Sequence, residues 1–233
     1  MKTVQRYAVI ITAILFAGAI LFTGCPQKID GGPSGGAQSG PDPNLRIEGG
    51  VLKGWNETPP TVLNIPEGVT EIASNAFYGC TSLTGMTLPA SLKTIGDSAF
   101  GGCTGLTGTV NLPAKLETVG AHAFYGCTGI TALDFSACTQ SFVINNYAFE
   151  NCTGLTGQVR FSSGLTAIKD KAFWGCNKVS NFDFSQCTQL TEIGSSAFAG
   201  CTAATYKVKT GSPIRNLLLN SNSTIKASQI IEE

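Results

Sequence analysis

The sequence is poor in the residues from which catalytic and metal sites are usually built. It has one histidine, His122, in 233 residues, and only 13% of its side chains are charged. No Cys-x-x-Cys pair and no Cys/His cluster occurs, so a zinc site or a redox dithiol has no ligand spacing to rest on. Carboxylates are not clustered, and no glycine-rich phosphate loop falls between a strand pattern and a helix pattern, which leaves no catalytic constellation to assemble. Neither sign of charge dominates: 15 basic residues face 15 acidic ones, and nothing attracts nucleic acid. The chain therefore reads as a non-enzyme without cofactor, metal or nucleic-acid partner. Helix-building runs are also scarce in its middle, where Gly, Thr, Ser and short apolar runs favour strands and turns. What is plentiful is apolar and small: 42% hydrophobic residues, 28 glycines, 13 phenylalanines and nine cysteines, enough for one substantial core.

Residues 1–24 stand apart from the fold. Lys2 and Arg6 precede a 17-residue uncharged run, Tyr7 to Thr23, a little longer than a usual signal core and shorter than the ~20 residues a spanning helix needs, which reads as a secretion signal with a retained membrane anchor as the alternative. The run ends in LFTGC, Leu21 to Cys25. This resembles the bacterial lipobox, with Phe22 standing where that pattern has Leu. The resemblance implies that the Cys25 thiol is acylated and the signal removed in front of it. Cleavage there leaves 13 basic against 15 acidic residues. Residues 25–44, rich in Gly, Pro, Ser and Asp, read as a flexible tether. The literal match to a nucleophile elbow within it, Gly32 to Gly36 (GPSGG), has neither the strand nor the helix that pattern requires.

The remainder repeats. AFYGC at Ala76 to Cys80 returns as AFGGC, AFYGC, AFENC, AFWGC and AFAGC. Its phenylalanines, Phe77, Phe100, Phe124, Phe149, Phe173 and Phe198, are 23, 24, 25, 24 and 25 residues apart. Each unit holds two short apolar runs bounded by Gly or Pro, which suit short strands, and a glycine-containing corner that suits a single helical or 3-10 turn. In Leu106 to Gly129 the inward set is Val110, Leu112, Leu116, Val119, Ala123, Phe124 and Cys127. Such a coil has no core of its own and must stack on its neighbours, which makes a solenoid.

The spacing L-x-x-x-x-L-P-x-x-L-x-x-I-x-x-x-A-F-x-x-C-x-x-L resembles the BspA-like, treponemal-type leucine-rich repeats over about Thr61 to Ala203. Two units depart from it: LDFSACTQS (Leu133 to Ser141) and FDFSQCTQL (Phe182 to Leu190) replace the proline corner by Ser-x-Cys-Thr. The expected architecture is a leucine-rich repeat solenoid of six coils over residues 61–203, with caps at residues 45–60 and 204–233. The N-terminal cap is a hairpin about Gly49-Gly50. The C-terminal one has a strand in TYKVK, a helix with Ser212 as N-cap and Pro213 at its first position, and a last strand in TIKASQII.

Eight cysteines lie in the repeats, and disulfide, metal and free-thiol readings compete for them. Stacked strands lie ~4.8 Å apart, within disulfide reach by Cα separation, but equivalent side chains point the same way. Cys138 and Cys187 sit two layers apart, ~10 Å, with Ser162 and Ser163 between. Buried free thiols are the favoured reading. Phe77, Cys80, Phe100, Cys103, Phe124, Cys127, Phe149, Cys152, Phe173, Cys176, Phe198 and Cys201 are assigned to the core.

Function must then lie on the surface. The residue after each repeat Phe runs Tyr78, Gly101, Tyr125, Glu150, Trp174, Ala199. Tyr78, Tyr125 and Trp174, with Tyr147 close by, form a candidate binding ladder, since rigid aromatics bring contact area at little entropy cost. The competing reading is that each covers a neighbouring glycine corner. A second ladder is the outward part of the L-x-x-I strand: Thr70 and Glu71, Lys93 and Thr94, Glu117 and Thr118, Phe142 and Val143, Thr166 and Ala167, Thr191 and Glu192. Ser141 falls where the other units have Leu, so a one-residue slip is expected to turn Phe142 inward. The family resemblance implies a monomeric adhesin anchored by lipid at the bacterial outer membrane and cell surface, binding host matrix or plasma proteins or other bacteria. A periplasm-facing structural lipoprotein and a small-molecule binder with a deep pocket remain as alternatives.

Overall fold

The computed structural model describes residues 42–56, 61–221 and 224–233. The signal segment, Cys25 and most of the tether lie outside them. A hairpin opens the fold: β1 (Leu45–Glu48) pairs antiparallel with β2 (Val51–Trp55). Gly49 and Gly50 take φ of 57° and 79° between them, a left-handed pair that glycine adopts without steric cost.

Each coil then contributes two short strands. One set is β4 (Glu71–Ile72), β6 (Thr94–Ile95), β8 (Thr118–Val119), β10 (Phe142–Ile144), β12 (Leu165–Ile168) and β14 (Glu192–Ile193). They stack in parallel behind the hairpin in the order β1-β2-β4-β6-β8-β10-β12-β14. Residues in register form an inward column, Ile72, Ile95, Val119, Ile144, Ile168 and Ile193. The other set divides. β3 (Val62–Asn64) pairs with β5 (Gly85–Thr87) alone. β7 (Gly108–Asn111), β9 (Ile130–Asp134), β11 (Gly157–Arg160), β13 (Val179–Asp183), β15 (Thr205–Val208) and β16 (Ile230–Glu232) form a six-stranded parallel sheet. Its inward column is Val110, Leu133, Val159, Phe182 and Tyr206.

The third wall is the repeated Ala-Phe-x-x-Cys corner. A single helical or 3-10 turn was expected there, and the structure has a run of i→i+3 hydrogen-bonded turns that does not extend into a helix. The reason lies in two left-handed residues in every corner. The residue two before Phe has φ between 54° and 60° (Asn75, Ser98, His122, Tyr147, Lys171, Ser196), and the residue two after it is also positive: Gly79, Gly102, Gly126, Asn151, Gly175 and Gly200. Backbone in that region cannot continue a right-handed helix. It turns alternate N–H groups toward the next coil. The N–H of Phe77 donates to Ala99 O, that of Phe100 to Ala123 O and that of Phe124 to Ala148 O, each at 2.7–2.8 Å. The corner is thus a hydrogen-bonded wall although it contains no strand.

Beneath it the six phenylalanine rings stack face to face, with successive centroids 5.2, 5.2, 5.3, 5.2 and 5.7 Å apart and planes within 13°. The carbonyls of the first five, Phe77 to Phe173, each accept two bonds. Phe124 O takes the N–H of Cys127 in its own corner at 3.1 Å and the thiol of Cys152 from the next coil at 3.2 Å. The thiol bond recurs from Cys103 to Phe77, Cys127 to Phe100, Cys176 to Phe149 and Cys201 to Phe173 at 3.0–3.2 Å. A buried sulfur thereby satisfies a buried carbonyl. In the two variant units Cys138 donates to Pro113 O at 3.4 Å and Cys187 to Ser162 O at 3.5 Å. The Ser162 hydroxyl donates to Cys138 O, so a hydroxyl fills the layer between the two sulfurs.

Seven cysteines are free and buried. Cys80, buried as well, is not among these free thiols and so departs from the expectation. It opens the column, and the layer before it carries Trp55, packed edge-on against Phe77 at 5.6 Å, in place of a repeat phenylalanine carbonyl. Ala76 of the same corner is only partly buried, whereas Ala99, Ala123, Ala148, Ala172 and Ala197 are fully so.

The slip at Phe142 is present. Its ring is buried, and the register between β10 and β12 shifts after it, with Phe142 opposite Leu165 and Val143 opposite Ala167. The outward apolar patch expected from an unslipped register therefore does not form. At the C-terminus α1 (Ile214–Asn220) packs by Ile214 and Leu218. It starts one residue later than expected, with Pro213 in the capping position, and the Ser212 hydroxyl accepts from the Ile214 N–H at 3.3 Å. The last strand is confined to β16 behind a 3-10 turn at Ala227–Gln229.

The corner column yields a graded expectation in denaturant unfolding. Phe124→Ala removes a ring stacked on both sides and costs about 3–5 kcal/mol. Cys152→Ala removes one interlayer bond and a sulfur's volume and costs about 1–2 kcal/mol. An unchanged midpoint for Cys152→Ala would show the thiol to be filler only.

Candidate binding face

The left-handed corner residues decide what the outer surface carries. Because their side chains leave the core, the columns one after and two before the repeat Phe both face outward and lie side by side. In the first column Tyr78, Tyr125 and Trp174 are 39%, 38% and 39% exposed, so three rings sit in matching environments on alternate coils. Between them come Gly101 and Glu150, and Ala199 follows. The Tyr78 ring lies across the next coil: a Cβ on Gly101 would meet its Cδ2 and Cε2 at 3.1 Å. Covering a glycine corner and standing exposed are thus both true of Tyr78.

The second column holds its own stack. His122 and Tyr147 lie parallel at 4.6 Å and 6°, and Lys171 Nζ sits 5.3 Å from the Tyr147 ring centre. Tyr147 is therefore sandwiched between an imidazole and an ammonium, a cation–π arrangement. The columns touch at Tyr125, edge-on to His122 at 5.7 Å, and at Glu150, whose carboxylate lies 4.0 Å from His122 Nδ1. The result is an outward strip of aromatic faces with one carboxylate, one imidazole and one ammonium among them. All four ladder residues read from the sequence fall on it, Tyr147 in the neighbouring column. His122, Glu150 and Lys171 were missed, because their contacts cross 24 to 28 residues and emerge only once the coils are in register.

Comparison with known proteins fits this geometry. A family model for the BspA type leucine-rich repeat region matches in six copies over residues 55–143 and 139–217. The chain belongs to the BspA-type leucine-rich repeat family. Among solved structures, this BspA-type chain is similar to a leucine-rich repeat protein from Bacteroides ovatus (21% identity, TM-score 0.39) and to a leucine rich cell surface protein from Faecalibacterium prausnitzii (22% identity, TM-score 0.39). The alignments cover 72% and 71% of this chain and 63% of each relative. No curated protein matches.

The other surfaces of the BspA-type solenoid are mostly self-satisfied. On the six-stranded sheet Asn111, Asp134, Arg160, Asp183 and Lys207 stand in register. Asp183 is almost wholly covered. It accepts from Gln158 Nε2 at 2.9 Å, Arg160 Nε at 3.3 Å and the Ser185 N–H at 2.9 Å. On the opposite sheet Lys93 pairs with Glu117 at 2.9 Å and Lys169 with Glu192 at 2.5 Å. Among the described residues no three His, Cys, Asp or Glu side chains gather as a metal site. Burial pushes the thiols of Cys103, Cys138, Cys187 and Cys201 up to about 12 and also raises those of Cys127, Cys152 and Cys176. None is a nucleophile at neutral pH.

Asp183 gives a pH signature. Burial alone drives its carboxyl upward, but the Ser185 hydroxyl and N–H, with the charges of Lys207 and Arg160, outweigh this and hold it below the usual carboxylate range. A group so depressed stabilises the fold above its unfolded pKa of ~3.9, and that stabilisation is lost as pH falls through the lower folded value. Asp183→Asn should therefore be less stable than the parent at neutral pH, with the gap closing under acid. A gap that stays constant between about pH 7 and about pH 2 contradicts the assignment.

Proposed function

We propose that this BspA-type protein is a lipid-anchored, surface-displayed adhesin that uses the aromatic corner strip to hold protein ligands on host matrix, in plasma or on other bacteria. The observation that carries the reading is the strip itself: three equally exposed rings on a frame stiffened by stacked phenylalanines beneath. Rigid aromatic anchors bind at small entropic cost, and solenoids present their binding residues as such columns. The anchoring half rests on sequence: the apolar run from Tyr7 to Thr23, the lipobox-like LFTGC with acylation at Cys25, and a tether through residue 44 that holds the solenoid off the membrane. The signal at 1–24, repeats at 61–203 and flanking caps complete the arrangement, with a monomer as the functional unit. Described concavities lie elsewhere, one at the C-terminal end against Tyr206 and Ile225 and another beside Lys93 and Glu117. A small-molecule site therefore has less support than a surface one.

Three measurements check this. The full chain should incorporate fatty acid, and Cys25→Ser should not. External protease should digest the solenoid on intact cells; digestion only after the outer membrane is permeabilised would favour the periplasmic scaffold. In a screen of matrix proteins, plasma proteins and partner bacteria, Tyr125→Ala with Trp174→Ala should cut binding at least ~100-fold, two hot-spot rings being lost. Undiminished binding by the folded double variant would take the strip out of the function.

A further inference from the structure

We infer that the aromatic strip is a platform for an extended, uncharged β-1,4-linked glycan, with one sugar lying over each coil. The inference rests on the corner strip being the binding face, and it names the chemistry that this face fits best.

The spacing points to it. Tyr78, Tyr125 and Trp174 hold the same corner position in the first, third and fifth coils, at matching exposure. Coils at this corner are 5.2–5.3 Å apart, measured between the Phe77, Phe100, Phe124, Phe149 and Phe173 rings beneath them. Neighbouring rings of the strip are therefore separated by ~10 Å, two strand spacings. An extended β-1,4-linked pyranose chain advances by nearly one coil spacing per sugar and turns each sugar half a revolution from the last. Every second sugar consequently offers the same face to the same side. A protein with an aromatic on every second coil meets that face each time, in register over three rings and five sugars.

The positions between the rings agree with this. Glu150, on the coil between Tyr125 and Trp174, supplies a carboxylate that accepts from hydroxyls. His122 and Lys171 stand beside the row, where they can donate to ring or hydroxyl oxygens. The face of an aromatic ring is electron-rich and takes the weakly positive C–H groups of a sugar face. A helical α-1,4 chain leaves this line after a few sugars.

The test titrates the full-length chain with cellohexaose and chitohexaose, with maltohexaose as the α-linked control, by calorimetry and by tryptophan fluorescence. A β-linked hexaose should bind saturably. Shortening it to the trisaccharide, which reaches two rings, should weaken binding by about tenfold, one ring's worth. Tyr125→Ala and Trp174→Ala should each cost the hexaose about tenfold while the circular dichroism and melting temperature match the parent. Equal binding of maltohexaose, no saturable binding of either β-linked hexaose, or full binding by both folded variants overturns the inference. Matrix proteins tested in parallel keep the two readings apart. A protein ligand lost in Trp174→Ala and not displaced by any hexaose leaves the adhesin reading standing and removes the glycan.

Discussion

Everything in this molecule is tied to the distance at which one repeat phenylalanine can stack on the next. A ring centred about 5.2 Å from its neighbours on both faces demands that the backbone corners carrying it be spaced alike, and this is close to the separation of hydrogen-bonded strands. The two requirements meet in one pitch. The Phe N–H then reaches the Ala carbonyl of the next coil, and the next coil's cysteine reaches the Phe carbonyl. Burying each ring contributes roughly 1.5–3 kcal/mol, with about 0.5–1.5 kcal/mol more from the aromatic pair. The cysteine matters for a different reason: a buried carbonyl with an unused lone pair surrounds itself with apolar groups at a cost, and the thiol removes that cost without adding a group that needs further partners.

The same pitch organises the surfaces. Because every coil repeats at one interval, side chains of opposite charge fall in register on both sheets, as with Arg160 and Asp183 or Lys93 and Glu117. Those pairs quiet two walls of the prism. The corner wall is left with its aromatic strip, and the hairpin at one end and α1 with β16 at the other cover the terminal layers that an open solenoid exposes.

Much of this was legible in the sequence because the repeat is long and its apolar positions are few in kind. Phe and Cys three residues apart, recurring at 23 to 25 residues, leave no other arrangement in which all six units bury the same atoms. Even the slip at Phe142 could be foreseen, since Ser141 in the core would have broken the column. The left-handed residues could not. Asn75, Ser98, His122, Tyr147, Lys171 and Ser196 share φ near 57° yet share no chemistry, and local preference favours that region only for Asn75 and His122 among them. Their conformation is imposed by interlayer hydrogen bonds, a tertiary cause. The His122–Tyr147–Lys171 stack follows from that backbone and stayed hidden with it. The role of the thiols was half visible: burial could be read, but the Phe carbonyl as partner required the corner geometry.

The central claim is that the repeat cysteines bond through their thiols to the phenylalanine carbonyls of the preceding coil. The S–H stretching band in the infrared spectrum of the folded protein measures this most directly, as it falls where other protein groups scarcely absorb. The account predicts a band displaced to low frequency from that of a free thiol, slow to exchange in heavy water, and losing intensity stepwise in Cys127→Ala and Cys152→Ala. A band at the free-thiol frequency that exchanges within the mixing time would contradict it.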